Sequence, residues 1–308
     1  MRKYLLTVLT YFGYFLYAPS LDEIHTFFPK GISKENLQLL LLEEVKRGKI
    51  LRLSNNMSSG LFQSSTNHQP LITNHSVYTL PQYSTQSNKK SKFESQIKAK
   101  RIAWTIQVYL SILKILPLIK FVGVTGASAM RGLRENDDID LCIVTKRYLL
   151  WTTRFFAVTI AKILGIHNKT GVCLNLFFDE SDLAIPKNKH NLYIGHELLQ
   201  MKPIIDKDCV YASFLGENKW IYTYFPNAKQ PVILGKRPPA LTPGSRFWMR
   251  SQFSLTRMTM WQPLELFLKH IQLPIIQHNH ANFSITDTQL WLFKNDFEKK
   301  LKRRGLVK

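Results

Sequence analysis

Cysteine is scarce in this chain: Cys142, Cys173 and Cys209 are the three among 308 residues, and no two are close in sequence. That spacing excludes a disulfide framework and a thiolate metal site, and it predicts a reducing, cytoplasmic setting. Acidic residues are also few. Asp and Glu number 21 against 42 Lys and Arg, a formal net charge of +21. A surface so short of negative charge attracts polyanions, and DNA or RNA is the expected partner of that kind. No apolar run is long enough to span a bilayer, so no membrane partner is expected. The apolar stretch 4–18, behind Met1, Arg2 and Lys3, has the pattern of a secretory signal but not the length of a membrane span.

The residues after that stretch argue for a folded first helix instead. Ser20 with Glu23 is a capping box opening a helix over 21–28, and Ser33 opens another over 34–47 with Leu37, Leu40, Leu41 and Val45 as its apolar stripe. Two β-leaning segments, 50–53 and 77–80, come next. Three helices and then two strands is the order of a winged helix, with the first helix as core. Its third helix would offer Lys34, Asn36, Gln38, Lys46 and Arg47 to DNA, but Glu35, Glu43 and Glu44 interrupt them, so DNA contact and a protein-contact or structural role stay equally open. Residues 54–76 hold no Lys, Arg, Asp or Glu and read as an extension of the wing.

The chemistry concentrates further on. Residues 118–125 form an apolar run that predicts a buried strand, and Gly126 breaks it. After Ala127, Ser128, Ala129, Met130, Arg131 and Gly132 come Asp138, Ile139 and Asp140, opening a second apolar strand over 141–144. Glycine lets backbone N–H groups approach an anion, and strand alternation puts Asp138 and Asp140 on one face, where two hard oxygen ligands can share a divalent cation. A third strand is expected over 172–178, with Asn175 its central polar residue. Between Asp140 and Asp179 no acidic residue occurs, while Lys146, Arg147, Arg154, Lys162 and Lys169 do. Arg154 is a candidate phosphate ligand, behind the alternative that it stacks on Trp151 three residues earlier on one helix.

The run 122–144 resembles the nucleotidyltransferase superfamily of DNA polymerase beta: a hydrophobic strand, Gly-Ser, a short connection, and Asp-x-Asp on the next strand. Ala127 stands where that family has its serine, Ser128 comes one place later, and Asn175 occupies the strand best suited to the family's third carboxylate. The resemblance implies a metal-dependent transfer of a nucleoside monophosphate from a nucleoside triphosphate to an acceptor hydroxyl, with pyrophosphate leaving. It implies Asp138 and Asp140 as catalytic metal ligands, and Gly126, Ala127, Ser128, Asn175 and Arg154 around the nucleotide. Magnesium, or manganese, is the ion such oxygen ligands select. The acceptor is not specified. The alternative is a catalytically weak or inactive binding and regulatory protein on the same fold, which Ala127 and Asn175 favour.

The chain also resembles a bacterial-type group in which a winged helix precedes a nucleotidyltransferase domain, through 11–18, 137–145 with Trp151 to Arg154, 173–175 and 196–200. The expected architecture is α+β and multidomain: a winged helix (1–87), a mixed β-sheet flanked by helices and led by a linker helix (88–186), and a helical C-terminal region with a basic tail (187–308). In that last region helices are expected over 192–201, 210–225 and 246–270, with a proline-rich linker over 226–243. His196 and Glu197 invite comparison with a zinc-protease helix, which fails because the second histidine would have to be Gln200. His278 and His280 have no third ligand nearby.

Overall fold

The computed structural model describes residues 1–15, 17–54, 76–86, 93–131, 138–167, 171–230, 262–279 and 282–293. Residues 55–75 of the expected wing extension, 231–243 of the expected linker, 246–261 of the expected helix, His280 and the basic tail 294–308 lie outside them.

Three helices lead: α1 (Arg2–Tyr14), α2 (Leu21–Thr26) and α3 (Lys34–Lys46). The capping box at α2 is complete, with Ser20 Oγ accepting the Glu23 N–H and Glu23 accepting the Ser20 N–H. Two antiparallel strands follow, β1 (Leu51–Ser54) and β2 (Ser76–Thr79), paired from Leu51 with Thr79 to Ser54 with Ser76. Helix α4 (Phe93–Ile115) then leads to the centre of the molecule.

That centre is a six-stranded mixed sheet. Its strands are β3 (Ile119–Thr125), β4 (Ile139–Thr145), β5 (Val172–Asp179), β6 (Lys202–Asp206), β7 (Asn282–Ile285) and β8 (Gln289–Phe293), in the spatial order β6-β3-β4-β5-β8-β7. Between β3 and β4 runs the short helix α5 (Gly126–Arg131), and between β4 and β5 runs α6 (Leu150–Ile163). Strands β3 and β4 are antiparallel, whereas β4 and β5 are parallel. A parallel pair needs a crossover, and α6 supplies it.

The region 187–308 departs from its expected mostly helical character. It contains α7 (Leu192–Gln200), α8 (Val210–Glu217), α9 (Ile221–Tyr224) and α10 (Gln262–Asn279), but also β6, β7 and β8, half of the central sheet. The physical reason is local: Lys202 to Asp206 and Gln289 to Phe293 are five-residue segments, too short to carry a periodicity that separates strand from helix. Helix 210–225 is broken at Asn218, whose amide side chain turns back to the carbonyls of Leu183 and Phe214.

Alternation along β4 divides the interior. Ile139, Leu141 and Ile143 join one apolar cluster, with α4, α6 and α10, while Cys142 and Val144 join another. The second cluster runs from the sheet through α7, α8 and α9 into α1, α2 and α3. The apolar stretch at the start of the chain is therefore packed core: Leu5, Leu9 and Phe12 are almost wholly buried. Among the described residues no helix is long and apolar enough to cross a membrane.

Candidate functional site

Strand β3 ends at Thr125 and the chain turns through Gly126, whose φ of +65° lies in the left-handed region. Glycine enters that region without steric cost, and a second constraint coincides with it. A Cβ on Gly126 would lie 2.6 Å from Asp140 Oδ2, so the carboxylate packs directly against the glycine Cα. Asp140 is brought there by register, since it pairs with Thr125 on β3 and Cys173 on β5. Asp138 precedes the strand by one residue, and its carbonyl accepts the buried Ser128 hydroxyl at 3.1 Å. Ser128 thus braces the two ends of the turn together, and Ala127 lies in α5 beside it.

Asn175 stands opposite, by way of a bulge. Leu141 pairs with Leu174 and Cys142 with Leu176, which leaves Asn175 as the extra residue on β5. Such bulges re-aim a side chain. Here the Asn175 amide donates to Asp140 Oδ1 at 2.6 Å, and its own oxygen lies 3.2 Å from Cys173 Sγ. Asp140 is therefore held on both sides, by Asn175 at one oxygen and by the Gly126 Cα at the other.

Glu197, which the sequence offered only in the failed zinc-protease comparison and within 196–200, also belongs here. It enters from α7, and its Oε2 accepts the Gly126 N–H at 2.8 Å while Oε1 accepts from Gln200 Nε2 at 2.8 Å. Burial is the main reason its carboxyl is pushed up to about 8, and the Asp140 charge raises it further against the two hydrogen bonds. The neighbouring His196 is 2% exposed and burial pushes it down to about 3. Its ring stacks on Phe27 at 3.8 Å and lies 4.1 Å from Tyr11, while Nδ1 meets Gln200 Oε1 at 2.9 Å. The signal that could have found Glu197 is a carboxylate and an amide three apart on a mostly apolar helix: His196, Glu197, Leu198, Leu199 and Gln200 offer polar groups where a surface helix has none to bury.

Arg154 does not reach this site. It is buried on α6, on the opposite side of the sheet from Asp140, and its Nη1 donates to Gln272 Oε1 of α10 at 2.7 Å. Burial pushes its guanidinium down to about 10. Its helix is apolar on the face that covers the sheet, and a basic side chain there is drawn into α10 packing instead of toward a phosphate. Glu265 of α10 completes that contact by accepting the N–H groups of Trp151 and Thr152 at the start of α6, which has no cap of its own.

Asp138, Asp140, Gly126, Ser128 and Asn175 thus converge at one end of the sheet, with Glu197 and without Arg154. Among the described residues no three His, Cys, Asp or Glu side chains come together as a metal-binding group. No family model, curated protein or solved structure matches the chain.

Proposed function

We propose that this protein is a metal-dependent nucleotidyltransferase, moving a nucleoside monophosphate from a nucleoside triphosphate to an acceptor hydroxyl. One observation carries the proposal: the left-handed Gly126 turn ends a strand directly against the Asp140 carboxylate of the next strand, with Asp138 two residues earlier. The glycine of the turn and the Asp140 carboxylate are then in contact in space, and the Asp138 carbonyl is tied to the turn by Ser128. Magnesium or manganese would be held by Asp138 and Asp140, with the remaining ligands coming from the triphosphate, the arrangement usual for a small hard cation that keeps only one or two carboxylates. Bound there, the ion would neutralise charge on the reacting phosphates. The chain's own part is orientation. Asn175 keeps Asp140 in place by a donated hydrogen bond, and Ser128 keeps Asp138 beside the turn.

The N-terminal helices with β1 and β2 read as a winged helix, and the charge of +21 as a nucleic-acid attractant. On α3, however, Arg47 binds Glu43 and Glu44, Arg2 reaches the same two glutamates from α1, and Lys34 pairs with Asp22. Cations tied to carboxylates are less available to DNA, so nucleic-acid contact by α3 itself is weakened.

A second reading has its own observation. The Gly126 N–H is already occupied by Glu197 and one Asp140 oxygen by Asn175, as in a nucleotide-binding module that does no chemistry. Incubation of the purified protein with labelled nucleoside triphosphates, magnesium or manganese, and cell extract separates the two. A labelled product supports transfer and identifies the acceptor; nucleotide binding with no product under either metal supports the module.

A further inference from the structure

Glu197 has no part in the transfer proposed above, yet two further side chains of α7, Gln200 and His196, are organised around it. Both its oxygens accept hydrogen bonds, from the Gly126 N–H and from Gln200 Nε2. This fixes the direction of everything behind them. Gln200 spends its amide N–H on Glu197, so its oxygen faces His196 at 2.9 Å, and His196 Nδ1 must be the protonated nitrogen. His196 Nε2 is then a bare acceptor, buried and without a partner. The imidazole is held by packing: Phe27 stacks on it at 3.8 Å, and Tyr11, Phe12 and Phe225 close around it. On the far side of Gly126 lies Asp140, 2.6 Å from where a Cβ would be. The glycine is clamped between two acidic side chains, Glu197 on its N–H and Asp140 on its Cα.

We propose that Glu197 is a positioning residue: it fixes the Gly126 turn, through that turn it sets the Asp140 carboxylate, and Gln200 and His196 anchor the setting in the N-terminal helices. Its effect on nucleotide rests on the transferase proposal; its effect on Gly126 and His196 rests on geometry alone. The Glu197 side chain is not a loose group awaiting displacement by phosphate, because leaving would break two hydrogen bonds and strand Gln200 beside a buried histidine.

The test uses the full chain as wild type, Glu197→Gln and Glu197→Ala. In Glu197→Gln one acceptor becomes a donor, so Gln200 must turn round and His196 must move its proton to Nε2. The 15N spectrum of the His196 ring should report that exchange of tautomer. In Glu197→Ala the Gly126 amide should lose its protection from hydrogen exchange, and this variant keeps the test decisive should Glu197→Gln fold poorly. Calorimetry with magnesium and ATP should show affinity about tenfold weaker in both variants, the scale of one lost hydrogen bond. Unchanged Gly126 and His196 signals overturn the proposal whether or not nucleotide binds. Affinity that is equal or higher in the variants overturns it too, and makes Glu197 a competitor for the Gly126 N–H. A wild type that binds no nucleoside triphosphate overturns the transferase proposal; shifted Gly126 and His196 signals in its variants would still support Glu197 as the residue that positions the turn.

Discussion

The side-chain amide of Asn175 donates a 2.6 Å hydrogen bond to the carboxylate of Asp140, across two neighbouring parallel strands. A bulge makes that contact possible by adding Asn175 to β5 without a partner on β4. The carboxylate is thereby oriented by a neutral neighbour, where a second acid would repel it.

Replacing Asn175 by Asp sets two carboxylates face to face at that distance. The Asn175→Asp variant should lose about 1–3 kcal/mol in urea denaturation at pH 8 without divalent cation. Millimolar magnesium should restore more stability to it than to the wild type. An equal magnesium response in the two proteins would count against cation binding at Asp140.

Removing both acids should remove the ion. In the Asp138→Ala, Asp140→Ala double variant, calorimetry should show magnesium-dependent nucleotide binding weakened by about a hundredfold or more. Affinity equal to the wild type would sink the assignment of these residues as metal ligands.

Gly126→Ala meets two obstacles at once: a φ of +65° and an atom placed 2.6 Å from Asp140 Oδ2. The expected loss is about 2–3 kcal/mol, above the roughly 1 kcal/mol of left-handed strain alone. Asp140→Gly in the same background should recover the excess, because the clash goes and the strain stays. Denaturation midpoints of the two variants, of Asp140→Gly alone and of the wild type measure this directly.

Two buried groups on α7 bend the pH profile in opposite directions. Glu197 titrates near 8 in the fold, above its ordinary value, so its contribution is complete below about 4.5 and is lost as pH rises through 8. His196 titrates near 3, below its ordinary value, so its contribution is complete above about 6.5 and is lost as pH falls toward 3. Stability should peak at mildly acidic pH. Glu197→Gln should flatten the alkaline limb and His196→Phe the acidic one, read as urea midpoints at pH 4, 5.5 and 8.5. Unaltered limbs would assign the pH dependence to other groups.

Nucleic acid binding, if carried by phosphate contacts, should depend steeply on salt and little on sequence. Gel shifts with duplex DNA and structured RNA should show binding at 50 mM salt that falls by on the order of a thousandfold at 200 mM. No binding even at low salt would leave the N-terminal helices a protein-contact or structural role.

Much of the site was legible because its information is local. A buried strand broken by glycine, and two aspartates at strand spacing, are patterns within some twenty-five residues, and β3, Gly126 and β4 fall where the sequence puts them. The capping box of α2 is likewise a four-residue signal. Short segments told less: β6 and β8 lie in a region whose stronger helical periodicity hides them.

Residue type and spacing are enough to place the turn and one acid: glycine suits that φ beside a carboxylate, and alternation sets Asp140 apart from Ile139 and Leu141 on β4. The partners that meet them come from long-range packing. Glu197 is 71 residues from Gly126 and reaches it only because α7 packs against β3 and α5. Asn175 reaches Asp140 only through a bulge, which no spacing of residue types encodes. Arg154 faces away because the apolar side of α6 must cover the sheet, and that burial carries the arginine to Gln272. Hydrogen bonds across such distances depend on where whole elements come to rest, and that is set by the burial of their apolar faces as a group, not by the residues beside each polar side chain.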